Sequence, residues 1–228
     1  ILFFAKFILI KLNVLIGIIT YDAPHRKTQD VLSRLKLEGY SDLELIVLPW
    51  VARENFKPIF VHRPSARVEL SIAELSDRLA LKYMQVSEAG LNQHLSERNY
   101  RHVIIAGAGI LPAEAAREHK IINAHPGYLP VMKGLDALKW AIYQNAPIGV
   151  TSHYISDKAD EGELIERREI PVYKEDTFHS LAYRVYETEI EMLTHAIKML
   201  DEGKASLSSL ADDQYIANRR MPNKLEFE

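Results

Sequence analysis

The feature that most constrains this chain is an alternation. Short apolar runs rich in β-branched residues trade places with longer amphipathic runs along most of its 228 residues. Continuous apolar runs bounded by turn residues suit strands covered on both faces. They fall at 13–20, 43–48, 83–86, 102–106, 121–124, 149–155 and 163–172. Helical runs lie between them at 27–38, 72–81, 88–98, 112–119 and 135–144, and a long one follows at 177–200. In that last run Leu181, Val185, Ile190, Leu193 and Ile197 recur at helical spacing, and Gly203 marks a stop. Strand–helix–strand alternation implies right-handed crossovers. The predicted fold is therefore an α/β three-layer sandwich with a mostly parallel central sheet. From Gly149 two strand runs follow each other directly, which predicts an antiparallel edge.

Composition narrows the function classes. A net charge of −3 creates no strong field for nucleic acid or acidic lipid. No cysteine is present, which removes disulfides, thiolate metal sites and a cysteine nucleophile, and suits a cytoplasmic location. Nine histidines raise the question of a metal, but none falls in a close metal-binding pair such as HExxH, so no metal is expected. The first 19 residues are very apolar, yet Lys6, Lys11 and Asn13 interrupt them and no small-residue cleavage site follows. They read as an apolar extension over 1–11 leading into the first strand rather than a membrane span, which needs about 20 mostly uncharged residues. The expected organisation is one catalytic domain over 1–205 and a polar tail over 206–228 that packs loosely. A connection at 52–70, containing Pro and Arg, is long enough to be functional or an insertion.

Two stretches carry chemistry. In 121–134, IINAHPGYLPVMKG, a short apolar strand ends in Asn123 and His125, two residues apart and so on one side if the strand persists. Pro126 and Gly127 then end it. Ligands of open parallel sheets bind beyond the carboxyl ends of strands, where these two side chains would lie. Turn chemistry alone also suits Asn and His beside Pro-Gly. In 149–162, GVTSHYISDKADEG, an alternating strand runs into an acidic loop with Asp157, Asp160 and Glu161. A carboxylate there can return to the His125 end of the sheet; a solvated acidic turn is the plainer reading. His153, on the strand, reads as a packed structural histidine.

Together these stretches resemble the folate-dependent formyltransferases, through Asn123-Ala124-His125-Pro126, Leu129-Pro130, Gly134, Gly149-Val150-Thr151-Ser152-His153 and Asp160. That family includes glycinamide ribonucleotide transformylase, methionyl-tRNA formyltransferase and the sugar N-formyltransferases. The resemblance is strong from about Val103 to Leu200 and implies a Rossmann-like fold. It implies a catalytic trio of Asn123, His125 and Asp160, with 10-formyltetrahydrofolate as co-substrate and a primary amine as acceptor. The amide would donate to the developing oxyanion, the imidazole would carry the proton, and the carboxylate would orient the imidazole. The folate slot would be lined by Gly109, Ile110 and Leu111 and by Ile155, Ser156, Asp157 and Ala159; Ile110 and Leu111 equally suit core packing at a helix start. Leu129-Pro130 is expected to form a tight turn, with a cis bond as in relatives.

The acceptor is less legible. Where the purine-pathway enzymes carry a Gly-Ser-rich phosphate loop, this chain has Tyr21-Asp22-Ala23-Pro24-His25-Arg26. Methionyl-tRNA formyltransferases carry a further C-terminal domain that 228 residues leave no room for. The expectation is a small or nucleotide-linked amine, such as an amino sugar on a nucleotide, with no nucleic acid and no membrane among the partners and a homodimer allowed. His25, Arg26 and Tyr128 are candidate acceptor contacts, with Arg53, Arg63 and Arg67 as further cations for a diphosphate. Tyr128 equally suits a cap on the core. Rival readings are glycinamide ribonucleotide as acceptor, a hydrolase that gives the formyl group to water, and a nucleotide-binding module without catalysis.

Overall fold

The structure is a computed structural model that describes residues 14–50, 57–65 and 68–227. The apolar extension 1–11, Arg53 and Arg67 lie outside the described residues. The chain divides into two compact units, one of residues up to 51 with 65–121, the other of 52–64 with 122–228.

The first unit holds four parallel strands in the order β3-β2-β1-β4: β1 (Ile16–Tyr21), β2 (Leu43–Leu48), β3 (Lys82–Gln85) and β4 (His102–Ile105). Every residue of β2 and β4 is buried, as strands covered on both faces require. At the edge, β3 is exposed along its whole length and opens on Lys82, a charge that discourages further strand pairing. The crossover helices are α1 (Arg26–Leu37), α2 (Ile72–Leu79), α3 (Leu91–Glu97) and α4 (Ala113–Glu118). Helix α1 buries Val31, Leu32 and Leu35, each contributing on the order of 1.5–3 kcal/mol. It ends where Tyr40 N–H reaches Leu35 O and Gly39 N–H reaches Lys36 O, a turn that needs the left-handed backbone of Gly39 at φ +89°. Helix α2 starts with a reciprocal Ser71–Glu74 cap. The predicted helix at 88–98 is instead a 3₁₀ turn, Glu88–Gly90, followed by α3.

The second unit carries antiparallel strands in the order β5-β6-β7-β8: β5 (Ile121–His125), β6 (Gly149–Tyr154), β7 (Glu163–Glu169) and β8 (Ser208–Ser209). The last of these had no counterpart in the sequence reading. Helix α5 (Ala137–Tyr143) and the 24-residue helix α6 (Phe178–Asp201) complete it. Helix α6 opens on a reciprocal Thr177–Ser180 cap and closes on Gly203. It packs Leu181, Ala182, Val185 and Met192 with Leu138, Val150 and Ile170 in one apolar cluster.

Parts of the tail beyond 205 are anchored rather than loose, with Leu210, Met221 and Glu226 buried. Asn218 pairs with Gly134, taking Leu135 N–H on its carbonyl and giving its own N–H to Lys133 O, both at 2.9 Å. Trp140 Nε1 donates to Arg219 O at 2.7 Å, and Met221 N–H to Asp136 Oδ2 at 2.9 Å. A closing 3₁₀ turn, Asn223–Phe227, brings Glu226 onto Lys139. Two of these five contacts join backbone to backbone, which leaves no side-chain pattern for a sequence to display.

Candidate active site

The predicted trio lies wholly in the second unit, and the structure brings it together. Asn123 and His125 stand on one face of β5. Across the strand pair, His153 is opposite Asn123 and Thr151 opposite His125. The loop after β6 then turns back: Asp160 takes a left-handed backbone, φ +54°, and places its carboxylate Oδ1 3.2 Å from His125 Nδ1. Left-handed Asp is one of the tolerated exceptions among residues with a Cβ, and such conformations concentrate at functional sites.

The clamp has a second jaw. Asp160 Oδ2 accepts Gly134 N–H at 2.7 Å, so one carboxylate holds both the imidazole and the loop that follows β5. His125 Nε2 lies 2.9 Å from Met132 O. Each ring nitrogen thus faces an oxygen. His125 is 6 % exposed, while Asn123 is half-buried and finds no side-chain hydrogen-bond partner among the described residues.

Tight packing fixes these positions. A Cβ on Gly127 would sit 2.6 Å from His125 Nε2 and 2.4 Å from Met132 O, so only glycine lets the loop lie against the ring. Thr151 braces the same loop, donating to Gly127 O at 2.8 Å and accepting Leu129 N–H at 3.1 Å. The Leu129–Pro130 bond is cis, as expected. Lys133, 2 % exposed, reaches Glu161 Oε1 at 3.0 Å and Asp212 O at 3.1 Å, joining the loop after β5 to the residue beside Asp160. Lys133 and Asn218 escaped the sequence reading; a lysine amid a loop motif gives no sign that it will be buried.

His153 is fully buried, with Nδ1 3.0 Å from Glu161 O. Burial drives its pKa down to about 4, against the opposing pull of the Asp160 charge and with help from His125. The His153 ring is therefore neutral near pH 7.

Gly134 offers a direct test of the clamp. Its φ is +93°, and a Cβ would lie 2.2 Å from Asn218 O. Gly134→Ala is expected to cost about 1–2 kcal/mol from the left-handed backbone alone, with the clash adding to it. Urea unfolding reads that loss, and formyl transfer should fall with it because Asp160 loses its anchor. A variant as stable and active as the parent would show that the clamp is dispensable.

The other predicted contacts fall as follows. In the first unit, Gly109, Ile110 and Leu111 follow β4; Ile110 is 84 % exposed and Leu111 is buried. His25 packs its ring on Gly107, whose Cβ would come 2.7 Å from Nδ1, and contacts Thr28 Oγ1 at 3.2 Å. Arg26 is paired with Asp30 at 2.6 Å. In the second unit, Ile155 and Ser156 are half-buried, and Asp157 and Ala159 exposed. Tyr128 lies between Gly149, whose Cβ would meet its ring at 2.7 Å, and Arg167, 4.4 Å over its centre. Arg63 lies 3.9 Å from Glu189. Among the described residues no group of three or more His, Cys, Asp or Glu side chains is arranged to hold a metal ion, and no helix is long and apolar enough to cross a membrane.

A half-buried amide thus stands on the same strand face as an imidazole held by a carboxylate. The chain belongs to the formyl transferase family, whose model matches residues 61–197. It is 27 % identical over 192 residues to methionyl-tRNA formyltransferase of Caldanaerobacter subterraneus subsp. tengcongensis, covering 80 % of this chain and 59 % of that protein. Its fold is that of a sugar N-formyltransferase from Shewanella sp., with TM-score 0.63, 20 % identity, and coverage of 91 % of this chain and 78 % of that one. It is equally that of phosphoribosylglycinamide formyltransferase from Anaplasma phagocytophilum, with TM-score 0.62, 22 % identity, and coverage of 92 % and 100 %. The Rossmann-like α/β class with parallel and antiparallel strands is thereby established. Length does not separate the acceptors, because the chain spans only 59 % of the methionyl-tRNA enzyme.

Proposed function

We propose that this protein transfers the formyl group of 10-formyltetrahydrofolate to the primary amine of a small or nucleotide-linked acceptor, an amino sugar carried on a nucleotide being the preferred one. The observation that carries the reading is the Asp160 carboxylate clamped between His125 Nδ1 and Gly134 N–H beside the unpartnered amide of Asn123.

The amine nitrogen attacks the formyl carbon, and the carbonyl electrons move to oxygen. Asn123 donates to that oxygen; a preorganised donor of this kind is worth about 3–4 kcal/mol. The C–N10 bond then breaks, and N10 of the folate takes up the proton that the attacking amine gives up. His125 is the carrier. With Nδ1 facing Asp160, the proton is exchanged through Nε2, so the contact with Met132 O opens during turnover. Gly109, Ile110 and Leu111, and Ile155, Ser156, Asp157 and Ala159, are the proposed folate contacts.

The preference for a sugar nucleotide rests on Tyr21–Arg26, where the Gly-Ser-rich phosphate loop expected for a ribonucleotide acceptor has no counterpart. The test is a panel of amines incubated with 10-formyltetrahydrofolate, reading tetrahydrofolate release and product mass. An amino sugar on a nucleotide should give a product heavier by one formyl group. Release of formate at the same rate without any acceptor would instead make the protein a hydrolase, and a formylated glycinamide ribonucleotide would overturn the acceptor choice.

A further inference from the structure

Four polar side chains make a two-by-two patch on one face of β5 and β6. Asn123 stands opposite His153, and His125 opposite Thr151. Directly opposed residues of an antiparallel pair share a face, with Cβ atoms about 4.5–5.5 Å apart. Three members of the patch have evident partners. His125 faces Asp160, Thr151 braces the loop after β5, and His153 holds Glu161 O through Nδ1.

Two polar groups are left over. His153 Nε2 is buried and has no hydrogen-bond partner. The carboxamide of Asn123 has none either. Burying an acceptor unpaired is costly, and native proteins do so where the group has work to do. The chemistry of the pair is complementary. Glu161 O can only accept, so His153 Nδ1 carries the proton, and Nε2 of the neutral ring is an acceptor alone. Asn123 offers two N–H donors.

We propose that His153 is a positioning residue: its Nε2 accepts one N–H of the Asn123 carboxamide when the formyl donor is in place, so that the second N–H faces the formyl oxygen. This rests on the formyl-transfer reading. A free carboxamide can turn either end outward. With its carbonyl toward the developing oxyanion it would oppose the reaction rather than assist it. The Nε2 acceptor fixes the productive sense, and burial keeps that acceptor bare, because the ring stays neutral down to about pH 4.

Two substitutions separate positioning from simple packing. In His153→Asn the side-chain N–H takes the place of Nδ1–H and keeps the tie to Glu161 O, but nothing remains at Nε2. In His153→Gln an amide oxygen returns near the Nε2 position. His153→Asn should lower kcat by about tenfold or more, a fraction of the 10²–10³ that a whole oxyanion donor supplies, with KM for the folate within about twofold, since ground-state contacts are untouched. His153→Gln should recover part of that loss. In an Asn123→Ala background His153→Asn should cost nothing further, because the group it aims is gone. A wild-type kcat in His153→Asn, or losses that multiply in the double variant, would overturn the proposal.

An independent readout covers variants that fold poorly. In the wild-type protein, ¹⁵N imidazole NMR should show His153 as the Nδ1–H tautomer. Saturation with 10-formyl-5,8-dideazafolate should move its Nε2 resonance toward a hydrogen-bonded acceptor, and Asn123→Ala should abolish that movement. A bound analogue with no movement sinks the contact between the two side chains and leaves formyl transfer standing. An analogue that does not bind at all sinks the folate reading and this inference with it.

Discussion

Replacing His125 by alanine is expected to lower kcat for formyl transfer by about 10²–10⁴, the usual contribution of a positioned acid–base group. The fold should survive, because the ring is held by Asp160, Met132 O and the flank of Gly127 rather than supporting them. Circular dichroism and urea unfolding check the second half of that statement; single-turnover release of tetrahydrofolate checks the first. KM for the folate should change little, since the ring acts on protons that move only in the chemical step.

Asp160 is subtler. Its backbone is left-handed, and one oxygen holds Gly134 while the other faces His125. Alanine there removes both contacts and also strains the turn by about 1–2 kcal/mol. Asn tolerates the same backbone and keeps an acceptor for Gly134 N–H, so Asp160→Asn isolates the charge beside the imidazole. It should cost kcat heavily with stability nearly intact, and Asp160→Ala should cost both. The double variant with His125→Ala should be little slower than His125→Ala alone, because groups acting as a unit lose their function together. Near-normal turnover in either single variant would falsify the assignment of the trio.

The meeting of His125 with Asp160 was legible through the family resemblance of the motifs around them, since from residue types alone Asp160 reads as a solvated acidic turn. Strand bounds followed the apolar runs, 43–48 without change and 102–106 to within a residue, since buried parallel strands are written as unbroken apolar stretches. What holds the trio was not legible. Gly134 and Asn218 meet backbone to backbone, and Met132 enters through its carbonyl, so their side chains carry no information about the contact. Lys133 and Lys139 read as surface charges until their carboxylate partners, one loop or one tail away, are brought to them. Arg26 illustrates the converse: a cation placed at the end of β1 looks available to an anionic acceptor, yet it already has Asp30 one helical turn on.

The pair formed by Lys139 and Glu226 carries the largest expected effect on stability. Lys139 Nζ donates to Glu226 Oε1 at 2.7 Å, and the two side chains are 3 % and 0 % exposed. Glu226 Oε2 takes the N–H groups of Ile59 and Phe60, both at 2.8 Å, so one carboxylate fastens the closing 3₁₀ turn to α5 and to the segment before His62. Removing one partner of a buried pair costs about 3–5 kcal/mol because a charge is stranded. For Lys139→Met the lower end, about 3 kcal/mol, is expected, since Glu226 keeps two backbone donors. The double variant Lys139→Met with Glu226→Gln should recover most of it, as no charge is left without a partner. Acid offers an independent measurement. Burial pushes the Glu226 carboxyl up, but the Lys139 bond and the Phe60 and Ile59 N–H groups outweigh it and hold the group below its ordinary range. Its contribution is therefore complete above the unfolded value of about 4.3 and is lost as pH falls through the lower folded value. Without Lys139 the carboxyl protonates more readily, so the gap between Lys139→Met and the parent should narrow from pH 7 toward pH 4. A gap that stays constant with pH, or a double variant as unstable as the single one, would mean that the pair is packing its methylenes rather than joining its charges.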